Sequence, residues 1–159
     1  MALPTKTDSQ VVVDQVDVRG PRFAAWLTTA VLVFTLVVST VSLGASAAIL
    51  DVQAVVFAIG ALAGPRRHPY GLIFAKLLAP RLAPVSEKEP TPPLKFAQLV
   101  GFVFAVVGAV GFATGLGTLG LIATGFALVA AFLNAAFAIC LGCQLYPLVA
   151  RLRHSRATA

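Results

Sequence analysis

Apolar residues run along this chain in long blocks and do not alternate with polar ones. Four blocks, at 23–43, 45–64, 96–115 and 121–149, are nearly free of charge. Each reaches or approaches the roughly 20 residues that carry a helix across about 30 Å of hydrocarbon. Periodicity within a block marks no water-facing side, because lipid is as apolar as a neighbouring helix. The pattern predicts an all-α fold of four transmembrane helices. The breaks around 43–46 and 116–120 are tight, so the helices pair as two hairpins, and a longer segment, 65–95, joins them. The membrane domain is thus expected over 23–150, between an N-terminal segment 1–22 and a basic tail 151–159.

The joining segment divides in two. Its first part, GPRRHPYGLIFAKLLAPRL, sets Leu72, Ile73, Phe74, Leu77 and Leu78 beside Lys76 and Arg81, the composition of a short amphipathic helix lying flat at the membrane surface. Its second part, SEKEPTPPLK, is polar and proline-rich and reads as an extended tether. Gly20-Pro21 is expected to break the chain just before the first span, with Trp26 anchoring that span at the head groups. Small residues set the helix contacts. Gly101, Ala105, Ala109 and Ala113 recur every four positions in the third span, Gly111 and Gly115 add a G-x-x-x-G, and Ala127, Ala131 and Ala135 answer in the fourth. Such stripes let the third and fourth helices pack closely, or supply the face of an oligomer.

Composition sharpens this picture. Apolar residues make up 58% of the chain and charged ones 11%, against roughly half and a quarter in soluble domains. All 12 Lys and Arg fall outside the spans. Lys6, Arg19 and Arg22 precede the first; Arg66, Arg67, Lys76, Arg81, Lys88 and Lys95 lie in the joining segment; Arg151, Arg153 and Arg156 follow the fourth. The positive-inside rule then predicts a multi-pass protein of the inner (plasma) membrane, with both termini and the joining segment cytoplasmic. The net charge of +6 is matched by anionic membrane lipids, and no nucleic-acid partner is expected. Ala45-Ser46-Ala47 resembles a signal-cleavage site, but the apolar run before it exceeds the roughly 7–15 residues of a signal core, so cleavage is not expected.

Polar side chains inside the spans are few. Asp51 reads as a partly hydrated carboxylate near the outer end of the second span, and Gln53, Gln98 and Asn134 as hydrogen-bonding glue between helices.

The only cysteines, Cys140 and Cys143, form C-L-G-C late in the fourth block. At 1.5 Å per residue they lie about 28 and 33 Å from Leu121, at the cytoplasmic interface. A reducing compartment argues against a permanent structural disulfide. Gln144 stands where a c-type haem box needs His, and a zinc site would need His68 and His154, both distant. No cofactor or metal is therefore expected. Two readings remain: a reactive dithiol, or two small residues that suit a helix in lipid. Pro147 cannot bond the carbonyl of Cys143 and Gly142 loosens the backbone, so a kink is expected at the thiols. Arg151 and Arg153 would favour a thiolate, and the C-terminal end of a helix would disfavour it. On a helical wheel Asn134 falls about 120° from Cys140 and about 180° from Cys143, which leaves Gln98 as the expected polar neighbour. Tyr146 either bonds a thiol or anchors the interface.

RGPRF at 19–23, GPRRHPYG at 64–71, FAQLVG at 96–101 and AAFLNAAFAICLGCQLY at 130–146 together resemble a family of small actinobacterial integral membrane proteins of unknown function, over about residues 17–150. The C-L-G-C-x-x-Y block is the most specific element. Gln98 and Asn134 fall at the family's other recurring polar positions, whereas Asp51 does not. The resemblance implies genes placed beside those of thioredoxin-like proteins and sulfurtransferases. The leading expectation is a membrane component of thiol redox or sulfur transfer, in which Cys143 exchanges with such a cytoplasmic partner and Cys140 resolves the mixed disulfide. The alternatives are a structural or accessory subunit without chemistry, and a small-molecule or ion permease. Against the permease stands the lack of an interrupted span or a central charge.

Overall fold

The computed structural model describes residues 14–84 and 87–157. In chain order the elements are β1 (Gln15–Asp17), α1 (Arg19–Ser39), α2 (Leu43–Ala63), α3 (Pro69–Ile73), β2 (Lys88–Pro90), α4 (Thr91–Ala113), α5 (Gly117–Phe137) and α6 (Leu141–Ala157). A π-helical turn, Phe74–Leu78, and a 3-10 turn, Ala79–Arg81, extend α3. Helices α1, α2, α4 and α5 are each long and apolar enough to cross a membrane, so the protein is an all-α, multi-pass membrane protein built from two hairpins. Lys6 lies outside the described residues, as do the side chains of Arg153, His154 and Arg156.

The four spans form a ring in the order α1, α2, α4, α5, each packed on its two neighbours. Short turns close both hairpins at one end. Ser42 caps α2 by accepting the Ala45 N–H at 3.2 Å, and Gly115, at φ 79°, supplies the left-handed residue between α4 and α5. Toward this end Leu32, Ala47, Leu50, Ala109, Phe112 and Ala127 make the core. Lipid would receive these side chains as readily, so their gain is van der Waals contact, which requires close backbones. Gly111 provides one such approach, since a Cβ there would sit 2.6 Å from the Gly120 nitrogen. The stripe on α4 serves two partners. Gly101 faces the Phe57 ring of α2, Gly111 faces α5, and Ala113 is exposed.

Two buried hydroxyls are satisfied inside the helix that carries them: Thr29 donates to the Ala25 carbonyl and Thr35 to that of Val31, both at 2.8 Å. Ser46 donates across the hairpin to the Thr35 carbonyl at 3.1 Å.

Three departures from the sequence pattern bear on function. Gly20-Pro21 does not break the chain before the span but lies in the first turn of α1, where a missing N–H costs nothing because that turn has no partner to offer it. The tether is partly structured: Lys88–Pro90 pairs antiparallel with Gln15–Asp17, and the prolines after it open α4 five residues before 96. The fourth span is not continuous over 121–149; it ends at Phe137, and a separate helix, α6, starts at Leu141. The extension of α3 keeps the expected amphipathic character, with Phe74 buried and Leu72, Ile73 and Leu77 exposed.

Candidate functional site

The break between α5 and α6 places the cysteines. Ala138 adopts φ 57°, in the left-handed region, and the amides of Ala138 and Ile139 close on the carbonyls of Asn134 and Leu133 at 3.1 and 3.2 Å. Arg22 reaches from α1 to donate to the Ala135 carbonyl at 3.4 Å, helping satisfy the end of α5. The chain then re-enters a helix with Cys140 as the residue before its first turn. The Cys140 sulfur accepts the Cys143 N–H at 3.2 Å, and the Cys140 carbonyl accepts the Gln144 N–H at 3.1 Å. Cys140 therefore does the work of a capping serine. The two sulfurs are joined as a disulfide with the Cα atoms 5.2 Å apart, so the first turn of α6 holds the pair at bonding geometry.

This reverses the expected electrostatics. The thiols lie at the start of a helix, not at its end, and the unpaired N–H groups there favour a thiolate. The expected kink at Pro147 is not what separates the segments, because α6 continues through Pro147 and the break lies at 138–140. Gly142 has a different role from the one its flexibility suggested. A Cβ on it would fall 2.6 Å from the Ala97 Cα, so its bareness lets α6 lie against α4. Tyr146 packs on Phe96 with ring centroids 6.1 Å apart, which makes it an anchor of the same interface.

Behind Cys140 a cavity of about 250 Å³ opens between α1, α2, α4, α5 and α6. Its walls are mostly apolar, with Phe57, Leu94 and Phe104 among them, and Gln98, Asn134 and Cys140 bring polar groups to it. The wheel that sets Asn134 away from the cysteines presumes an unbroken helix; the break brings Asn134 and Cys140 to one cavity, and Gln98 joins them as expected.

Gln98 also borders a larger cavity of about 500 Å³, shared with Asp17, Arg66, His68, Phe74 and Lys88. Around it lies a buried polar cluster. His68 is 2% exposed and Gln53 1%; Tyr70 donates its hydroxyl to Gln53 Oε1 at 2.8 Å and stands edge-on to the His68 ring at 5.3 Å. Both ring nitrogens of His68, Gln53 Nε2 and Gln98 Oε1 are buried without a hydrogen-bond partner. Burial holds the His68 pKa down to about 4, from 6.5, and Gln98, though not aligned for a hydrogen bond, opposes part of that shift. The imidazole is thus neutral near pH 7.

Residues 16–151 match the model of a family described as Domain of unknown function (DUF4395). The chain belongs to the DUF4395 family. Neither a curated protein nor a solved structure matches it.

In this DUF4395 protein the polar cluster is what sequence reasoning missed. The sequence pattern offers His68 only as a zinc ligand, and among the described residues no three His, Cys, Asp or Glu side chains gather to hold a metal. The available signal was His68-Pro69-Tyr70 between two glycines, too polar a block to sit idle beside a span. Asp51 stays on the exposed side of α2, away from both cavities.

Proposed function

We propose that the protein is a membrane thiol–disulfide oxidoreductase whose Cys140–Cys143 pair exchanges with a thioredoxin-like or sulfurtransferase protein in the cytoplasm. One observation carries this reading: the Cys140 sulfur caps α6 by accepting the Cys143 N–H at 3.2 Å while bonded to Cys143. Charge of this sign at a helix N-terminus is stabilised by roughly 0.3–1 kcal/mol, up to about 2 when partly buried. Cys140 is then the better leaving group, which directs attack to Cys143. A partner thiolate attacks the Cys143 sulfur, the Cys140–Cys143 bond breaks, and its electron pair leaves on Cys140. The partner's second thiolate attacks its own sulfur in the mixed disulfide, releases Cys143 and departs oxidised. The pair is left reduced by two electrons.

The location of the pair supports a cytoplasmic partner. Arg19, Arg22, Arg66, Arg67, Lys76, Arg81, Lys88 and Lys95 flank the end of the bundle at which α5 gives way to α6, and the short turns at the other end carry no Lys or Arg. By the positive-inside rule the basic end, with both termini, faces the cytoplasm across the plasma membrane. Maleimide labelling in native membranes tests the chemistry: the pair should be blocked when oxidised, reactive after reduction, and reversible between the two. A partner whose second, resolving cysteine is replaced by Ser should be trapped as a mixed disulfide on Cys143, and Cys143→Ser should abolish the trap. A pair that never labels in either state, or a double serine variant with full cellular activity, would leave the cysteines a packing role.

A further inference from the structure

A dithiol reduced by a partner has to pass two electrons onward, and the cavity behind Cys140 indicates to what. Resting on the oxidoreductase reading, we infer that the cavity binds the head group of a lipid-soluble quinone, which re-oxidises the Cys140–Cys143 pair.

Four features define the occupant. The cavity lies among spanning helices, walled by Phe57, Leu94 and Phe104, so its guest arrives from lipid and is itself apolar. Its volume of about 250 Å³ falls just under the roughly 300–1,000 Å³ of pockets that enclose whole drug-sized ligands, enough for one ring system with its tail left between the helices. Gln98, Asn134 and Thr28 line it, and their amide and hydroxyl groups suit paired carbonyl oxygens and, after reduction, paired hydroxyls. Cys140 lines it while Cys143 does not, so the sulfur released by attack on Cys143 is the one that meets the guest. A quinone satisfies all four conditions and takes up the required two electrons and two protons. An acyl chain fills the same space but accepts neither.

The step balances. The Cys140 thiolate bonds to a ring carbon and its electron pair enters the quinone. Cys143 then attacks the Cys140 sulfur, the sulfur–carbon bond breaks, and that pair remains with the ring. The two thiol protons end on the two ring oxygens, so two thiols and a quinone become a disulfide and a hydroquinone.

The test uses the full chain in lipid nanodiscs, reduced and freed of reductant. Decylubiquinone serves as the probe because its ring has no free position for a dead-end thiol adduct. The expected result is reduction of one quinone per chain, read by absorbance, with closure of the pair read by loss of maleimide labelling. Diamide, a water-soluble thiol oxidant, is the parallel arm. Closure by diamide without closure by quinone overturns this inference and leaves the dithiol intact; closure by neither overturns the oxidoreductase reading itself. Ala131→Phe fills the cavity, and the ratio of quinone to diamide rates should fall at least tenfold. Gln98→Leu should lower the same ratio if Ala131→Phe does not fold. An unchanged ratio in a folded variant places the reaction elsewhere and overturns the assignment.

Discussion

Gly142→Ala isolates the packing that positions the cysteines. An added Cβ would lie 2.6 Å from the Ala97 Cα and 2.7 Å from its Cβ, whereas carbon atoms rest at about 3.5–4.0 Å. One of the two obstacles is backbone, so no rotamer change relieves it. The first turn of α6 must retreat by about 1 Å, which loosens the packing of Tyr146 on Phe96 and shifts Cys140 away from the cavity. Overpacking of this kind costs about 1–3 kcal/mol. The reference is Gly125→Ala, where a Cβ meets nothing within 4 Å and helix propensity alone predicts a gain of up to about 1 kcal/mol. Thermal unfolding of both variants in the same nanodiscs compares them directly, and the maleimide labelling rate of the reduced pair reports whether the sulfurs moved. Ala97→Gly combined with Gly142→Ala should recover only part of the loss, because the clash with the backbone at position 97 remains. If Gly142→Ala unfolds with Gly125→Ala and labels like the parent, α6 does not dock on α4 through this glycine.

Three further outcomes concern the buried polar cluster and the helix break. His68 is held neutral in the folded state with a pKa of about 4, so stability is complete above its unfolded value near 6.5 and falls as pH drops toward 4, by about 3 kcal/mol in all; the melting temperature should show this slope, and His68→Phe should abolish it. Tyr70→Phe strips Gln53 Oε1 of its 2.8 Å donor and should cost about 1 kcal/mol, while adding Gln53→Leu removes the orphaned carboxamide and should restore most of it in chemical or thermal unfolding. Ala138→Gly relieves a left-handed alanine at φ 57° and should raise stability by about 1 kcal/mol; a loss would mean that the break is not held in that conformation.

Much of the architecture was legible because the membrane imposes it. A hydrocarbon layer of fixed thickness demands apolar runs of fixed length, and a helix is the conformation that satisfies every backbone group within such a run. The spans, the two hairpins and the basic end of the bundle follow from local composition alone. Cys140, Cys143 and Gln98 also stand out there, since polar and reactive groups are few in such a chain.

What stayed hidden depends on packing between distant residues. No glycine or proline marks position 138, and the residues that resemble breakers, Gly142 and Pro147, both lie inside α6. The fourth apolar block ends where it does because Arg22 satisfies one of its last carbonyls and because α6 docks on α4 through Gly142 against Ala97 and Tyr146 against Phe96. Gln53, His68 and Gln98 come from three separate segments, so only their packing reveals one buried cluster, and the pairing of β1 with β2 joins strands more than 70 residues apart. The sequence by itself determined that the chain crosses the membrane four times with its cysteines at the basic face. Tertiary structure alone decided that those cysteines begin a helix and do not end one, and with that reversal which charge the backbone favours on their sulfur.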